Sequence, residues 1–278
     1  MDITYEDASR MMEEHAKELG YITERLSPVD FTAGGVHFRK TNIRDLKMIE
    51  SCRDKLTTKK LVSRGGLRVP KTYNLKNIKF PAVVKPRRGT FGRGVRIVSN
   101  MYELTSFLNK NSFVEEFIEG IVYRVAVADG KAISILRQIR PNVVGDGKLS
   151  IKQLIEKKNL GRGETPADAP LTVFYKLDLN RVPSKGEVVY LHYLATRRLG
   201  GDVDEMVDIM DETFKEFSVS CVSCIPGCNF AGVDVIHDGK NTTLLEINNH
   251  QQLTAHYYPQ GKTPPVEIHK FIVEAYLR

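Results

Sequence analysis

Two short segments near the C-terminus alternate apolar and polar residues at the period of an extended strand: Gly232-Val233-Asp234-Val235 and Leu244-Leu245-Glu246-Ile247-Asn248. Successive strand side chains point to opposite faces. Val233 and Val235 are therefore expected to pack with Leu245 and Ile247 on a core, while Asp234, Glu246 and Asn248 project from the other side. Two carboxylates and a carboxamide on one face form the hard oxygen set that Mg²⁺ takes, usually shared with phosphates. Register decides between readings. A wide connection puts Asp234 and Glu246 on one face, whereas a tight two-residue turn at Asp238-Gly239 puts them on opposite faces. The alternative to a metal site is a hairpin with one solvated polar face.

A second strand pair lies upstream. Phe80-Pro81-Ala82-Val83-Val84-Lys85-Pro86 is a short apolar run ending in Lys85, followed by the basic loop Arg87-Arg88-Gly89-Thr90-Phe91-Gly92-Arg93-Gly94 and a further strand, Val95-Arg96-Ile97-Val98. Glycine lets backbone N–H groups approach an anion closely, so this loop suits a flexible phosphate lid. It is neither a Walker A loop nor a Rossmann fingerprint, because both run from a strand into a helix and here a strand follows. A Gly-rich surface turn is the other reading. Between the two pairs, Ser112-Phe113-Val114-Glu115-Glu116-Phe117-Ile118-Glu119-Gly120 reads as an apolar strand that carries two glutamates and breaks at glycine.

In this order the segments resemble an ATP-grasp ligase, most closely the ATP-grasp region of cyanophycin synthetase and of bifunctional glutamate-cysteine ligase/glutathione synthetase. The resemblance also rests on Asp54-Lys55-Leu56-Thr57-Thr58-Lys59, on Asn142-Val143-Val144-Gly145-Asp146-Gly147 with Ser150 to Ile155, on Leu199-Gly200-Gly201-Asp202, and on the stretch from His256 to Gly261. It covers the chain from about residue 45 to the end. It implies an α+β ATP-grasp fold with two lobes gripping ATP, preceded by a short N-terminal α/β region. The expected divisions are residues 1–50, a small lobe at 51–118 and a large lobe at 119–278.

The implied reaction is ATP- and Mg²⁺-dependent: a carboxylate becomes an acyl phosphate, which an amine attacks to form an amide. By the resemblance, Lys55 and Lys85 hold ATP phosphates, and Gly89, Thr90, Phe91, Gly92 and Gly94 close over them. Glu115, Glu116, Phe117 and Ile118 form the adenine hinge, and Asp234, Glu246 and Asn248 bind Mg²⁺. Arg124, with Arg137 or Arg140, steadies the acyl phosphate or substrate carboxylate. Arg197, Arg198, Gly200, Gly201 and His256 contact the substrate, an amino acid or peptide. The alternatives are a glutathione-synthetase-like peptide ligase and a non-catalytic nucleotide-binding module.

Four departures mark the substrate end. Val122 stands where relatives carry a ribose-binding acid, and Gln138-Ile139-Arg140-Pro141 replaces Arg-Val-Pro-Ala. Thr196-Arg197-Arg198-Leu199-Gly200-Gly201 replaces an Asn-x-Ser-x-Gly-Gly loop, and its two cations suit an acidic substrate. Asn249-His250-Gln251-Gln252 replaces a Pro-containing turn.

Composition agrees with an enzyme of this kind. A chain of 278 residues, 41% hydrophobic, can bury a large core. It shows no apolar run of bilayer length and no signal-peptide pattern in Met1 to Asp7, so the expected setting is cytoplasmic and away from membranes. The net charge of +7 is scattered rather than gathered in a run, which suits nucleotide and acidic substrates better than nucleic acid. Cys221, Cys224 and Cys228 have metal-like spacing beside Cys52, but 207–224 reads as a helix with Met210, Phe214, Phe217 and Cys221 on one stripe, so buried reduced thiols are expected. Other expected elements are a helix over Tyr5 to Leu19, a small sheet within 21–42, a helix over Arg53 to Ser63, a capping box from Asn100 with Glu103, and a hairpin at Asp129-Gly130. The short N-terminal region leaves room for a homodimer, or a partner that presents the substrate.

Overall fold

The computed structural model describes residues 3–90, 92–163, 169–251, 253–257 and 266–278. Phe91, Gln252 and residues 258–261 of the quoted motifs lie outside the described residues.

Helix α1 (Tyr5–Glu18) starts at Thr4, whose hydroxyl accepts from Asp7 N at 3.1 Å while the Asp7 carboxylate accepts from Thr4 N at 3.0 Å. This reciprocal cap satisfies two of the N–H groups a helix start leaves open. The expected small sheet is a four-stranded antiparallel meander of β1 (Thr23–Ser27), β2 (Asp30–Ala33), β3 (Val36–Arg39) and β4 (Asn42–Ile43). Helix α2 (Leu46–Arg53) is not among the expected elements, and α3 (Lys55–Arg64) is the helix expected over Arg53 to Ser63, shifted by one or two residues. The break between them has a local cause: Asp54 is extended, and its carboxylate accepts from Leu56 N and Thr57 N, so it closes one helix and caps the next.

Strands β5 (Ala82–Pro86) and β6 (Arg96–Val98), helix α4 (Met101–Phe107) and strand β7 (Ser112–Glu116) form a small unit, with sheet order β6-β5-β7. Asn100 caps α4 by accepting from Glu103 N at 2.9 Å, but Glu103 bonds back to Ser99 N at 2.7 Å rather than to Asn100, so the box is shifted by one residue.

Next come β8 (Ile121–Ala128), β9 (Lys131–Ile139), β10 (Asn142–Val144), α5 (Ile151–Asn159), β11 (Val188–Tyr190), a 3₁₀ turn at Arg197–Leu199, and β12 (Asp202–Glu205). The chain ends with α6 (Glu212–Ser223), β13 (Phe230–His237), β14 (Thr242–Asn248), α7 (Thr254–Tyr257) and α8 (Ile268–Leu277). Asp129 and Gly130 join β8 to β9 with φ of +46° and +69°, the two left-handed positions of a tight hairpin. Helix α6 begins only at Glu212, capped by Asp211, so the helix expected from Val207 is shorter at its start.

The five-stranded sheet runs β12-β9-β8-β13-β14. Its one face carries Val125, Ile135, Val233, Val235, Leu244 and Ile247, packed with Met48, Phe214 and Cys221. The opposite face is apolar only at one end, where Ala126, Ala128 and Phe230 pack with Met12, Phe38 and Ile272 from the N-terminal elements and α8. The rest of that face mixes polar groups, Arg124, Gln138, Asp234 and Glu246 among them, with Leu136 and Ile236. All four cysteines are free, and Cys52, Cys221 and Cys228 are buried as expected of reduced thiols. Among the described residues no helix is long and apolar enough to cross a membrane.

Candidate active site

The β13–β14 connection is wide: His237 pairs with Thr242, leaving residues 238–241 between them. Asp234 stands opposite Glu246 and Gly232 opposite Asn248, so the two carboxylates share a face. One detail of the expected pattern changes. Val235 pairs with Leu244, and Leu245 is the extra residue of a bulge between Asp234 and Val235, so Leu244 rather than Leu245 joins the core. The bulge reconciles a strand pattern with two successive leucines.

Arg124, opposite Asp234 on β8, donates through Nε to Oδ1 at 2.8 Å and through Nη2 to Oδ2 at 2.7 Å. Asn248 Nδ2 donates to Asp234 Oδ2 at 3.1 Å, and Gln138 Nε2 reaches Oδ1 at 3.4 Å. Such forked pairs fix both groups in one plane. Lys55 opens α3 and is almost fully buried. Its Nζ donates to Gly89 O at 2.8 Å and lies 3.3 Å from Glu246 Oε2, joining the helix, the root of the Gly-rich loop and the acidic hairpin. Asp54 beside it is held below the usual carboxylate range by Arg87, which bonds it through Nε at 2.8 Å.

A second charged group is centred on β7. Glu115, 2% exposed, pairs through one oxygen with Lys59 and through the other with Lys85. Both ammonium groups sit over the Phe113 ring, at 5.8 Å and 5.7 Å from its centre. Burial and the adjacent Lys85 charge push Lys59 down to about 7, against the pull of Glu115. Lys59 is a residue that sequence reasoning did not assign, although it lies in the quoted Asp54-to-Lys59 motif. Strand β7 ends at Glu116, so the backbone of Phe117 and Ile118 leaves the ladder at the hinge.

Gly92 and Gly94 of the loop have φ of +68° and +75°, the left-handed region that favours glycine. The end of the loop is anchored to Tyr193, whose OH donates to Val95 O at 2.9 Å and accepts from Arg96 Nη1 at 3.2 Å.

The expected arginines separate. Arg124 is at the acidic hairpin. Arg137 pairs across β8 with Tyr123, and so lies on the opposite sheet face, where it forms an ion pair with Asp204. Arg140 stacks on Tyr190 with its guanidinium carbon 3.9 Å from the ring centre. The structure therefore brings neither to Arg124. Arg197 and Arg198 occupy the 3₁₀ turn, and their charges act on His256 and Tyr5 respectively. Gly200 and Gly201 are required by close approach: a Cβ on Gly200 would lie 2.5 Å from Leu171 Cα, and one on Gly201 2.6 Å from Ile139 O. Their role in the structure is to let the turn pack. His256 is buried, with Nδ1 2.7 Å from Ser134 Oγ. Val122, which stands where a ribose-binding acid is expected, pairs with Gln138 and Ile236 in mid-sheet.

The donor set fits Mg²⁺ by its chemistry: two carboxylates and the Asn248 carboxamide on one face, with no competing histidine or thiolate. Among the described residues no group of three or more His, Cys, Asp or Glu could hold a metal. Two surface cavities of about 250 and 330 Å³ lie elsewhere, one beside Ile225 and Cys228 and the other beside Phe214 and His237.

Residues 52–252 match the family described as an ATP-grasp domain. The bifunctional glutathione biosynthesis protein GshAB of Enterococcus faecalis is 28% identical over 79% of this chain and 35% of its own length. GshAB of Streptococcus agalactiae is 31% identical over 65% of this chain and 28% of its own. The chain thus spans about a third of these relatives. A bifunctional glutathione synthetase from Pasteurella multocida superposes with a TM-score of 0.68 at 21% identity, over 99% of this chain and 43% of that one. D-alanine–D-alanine ligase from Bacillus anthracis superposes at 0.51 and 17% identity, over 83% and 69%. These structural likenesses establish the fold. With the family match covering most of its length, the chain belongs to the ATP-grasp domain family.

Proposed function

We propose that the protein is an ATP- and Mg²⁺-dependent, ADP-forming carboxylate–amine ligase that joins an amino acid or peptide to an amine through an acyl phosphate. The observation that carries this reading is the convergence of Lys55, Arg124, Asp234, Glu246 and Asn248 on one polar face, linked by Lys55 to the root of the Gly-rich loop.

In this reading Lys55 and Lys85 hold phosphates as point charges, and the loop from Gly89 to Gly94, with Thr90, closes over them and keeps water out. The backbone at Phe117 and Ile118 meets the adenine edge, while Glu115 fixes the two buried lysines beneath it. Asp234, Glu246 and Asn248 hold Mg²⁺, which when bound offsets charge on the phosphates. Arg124 steadies the phosphorylated carboxylate. Arg197 and Arg198 favour an acid-bearing substrate. Residues 51–118 and 119–278 act as the two lobes, behind residues 1–50. The names of the GshAB relatives favour a narrower form of the reading, a glutathione-synthetase-like peptide ligase. The substrates are small molecules or peptides, the setting is cytoplasmic, and a homodimer is compatible with a site whose named residues all come from one chain.

The test is ADP release from Mg²⁺-ATP with pooled amino acids and dipeptides, with detection of new amide masses. Release with a new mass, lost in Glu246→Ala, supports the ligase. Tight ATP binding with no release over the whole panel supports a non-catalytic module.

A further inference from the structure

Ser134, Ala126, Gly232 and Asn248 form one cross-strand row, and Leu136, Arg124, Asp234 and Glu246 form the next row on the same face. The rows are two residues apart, about 7 Å along the strands. Apart from Asn248 at its edge, the first row and the side chains packed on it carry buried polar groups that the phosphate and metal chemistry does not use. Glu205, opposite Leu136 on β12, accepts from Ser134 Oγ at 2.6 Å and from Ile135 N at 2.9 Å. Ser134 has one proton and donates it to this carboxylate, so it accepts from His256, and Nδ1 carries the imidazole hydrogen. His256 Nε2 is therefore a bare lone pair, fully buried and without a hydrogen-bond partner among the described residues. Gln251 lies over the same row two strands away, against Gly232: among the described residues both ends of its buried amide are also unpartnered, and a Cβ on Gly232 would meet Gln251 Oε1 at 2.2 Å. Orphaned buried polar atoms are costly, and two residues with such atoms over one cross-strand row mark a place built for a polar ligand.

We propose that this row is the acceptor end of the ligase site, and that His256 Nε2 takes the proton of the attacking amine, with Ser134 and Glu205 as positioning residues. The inference rests on the ligase reading. The amine nitrogen attacks the acyl-phosphate carbon, the C–N bond forms, the C–O bond to phosphorus breaks, and phosphate leaves with the electron pair. The proton released from nitrogen goes to Nε2. The imidazolium so formed keeps its Nδ1–H bond to Ser134, whose proton points at the Glu205 charge. The charged groups that face His256 are Glu205 on β12, Arg124 on β8 and Arg197 on the 3₁₀ turn. Burial and the two arginines hold the free imidazole neutral, down at about 3. An anionic acyl phosphate seated on those arginines offsets their charge and makes Nε2 a stronger base when it is needed.

Hydroxylamine separates the steps, because it is neutral at pH 7 and captures acyl phosphates as hydroxamates without help from a base. With Mg²⁺-ATP and the amino-acid and dipeptide panel as acids, His256→Asn is expected to form hydroxamate within about 3-fold of the wild type. Amide formation with an amine should fall by roughly 10²–10⁴. Ser134→Ala keeps the imidazole but frees its tautomer and removes the acceptor that favours the imidazolium, so it is expected to lower amide formation less and to move the pH profile of kcat/KM downward, with hydroxamate formation unchanged. Equal loss of both products in His256→Asn, or normal amide formation in it, overturns the base assignment and leaves the ligase standing. A wild type that forms no hydroxamate with any acid of the panel overturns the ligase reading, and this inference with it.

Discussion

Arg124 grips both oxygens of Asp234, at 2.8 and 2.7 Å, on the face that also presents Glu246 and Asn248. A divalent cation at Asp234 therefore competes with a resident guanidinium. Arg124→Gln removes that competitor, so the Mg²⁺ concentration for half-maximal turnover should fall several-fold. Turnover itself should fall on the order of 10²-fold through loss of a charge that stabilises the reacting group. Mg²⁺ titration at saturating ATP reads both. A raised Mg²⁺ requirement contradicts the placement of metal and arginine on one carboxylate.

Glu115 neutralises two buried lysines at once, which makes it the most sensitive ionic position in the small unit. Glu115→Ala leaves Lys59 and Lys85 facing each other in a space only a few per cent exposed. Removing one partner from a buried pair costs about 3–5 kcal/mol, and urea unfolding should show a loss in that range. A loss below about 1 kcal/mol means that water reaches the pair.

Burial pulls four histidines below their ordinary value, His192 among them, and three of them furthest, reinforced at His250 by Lys40 and Arg39 and at His256 by Arg124 and Arg197: His250 and His269 are down at about 4 and His256 at about 3. The unfolded chain takes up these protons near pH 6.5, so below that it binds more protons than the folded chain. The stability these groups contribute is complete above pH 6.5 and drains away as the pH falls toward 4. Urea midpoints at pH 7.5, 6 and 5 should decline steadily, and His269→Phe should show a shallower decline below pH 6.5. An unchanged slope in His269→Phe contradicts the buried neutral state.

Much of the site was legible because alternation survives in short strands. Asp234, Glu246 and Asn248 share a face as their spacing demands, and Lys55 and Lys85 stand at the start of a helix and near the end of a strand. What was illegible has physical causes. A bulge moves Leu245 out of phase, and period-two counting cannot see an inserted residue. The same counting, carried along β9, does put Arg137 and Arg124 on opposite faces once the register is known, but register is a property of the pair of strands. Helix α2 is missed because its eight residues span about two turns, too few for a periodic stripe to stand out, while α3 follows the expectation from Arg53. Glu205, Ser134 and His256 come from three separate elements, β12, β9 and α7, and only folding puts them in line.

The central claim is that a carboxylate is phosphorylated, and isotope transfer tests it most directly. With amino acids and dipeptides labelled with ¹⁸O in their carboxyl groups, and with Mg²⁺-ATP, the phosphate released during amide formation should carry one ¹⁸O atom from the acid. Glu246→Ala should release none. Phosphate that carries oxygen only from water, with ATP consumed at an equal rate, would contradict the account.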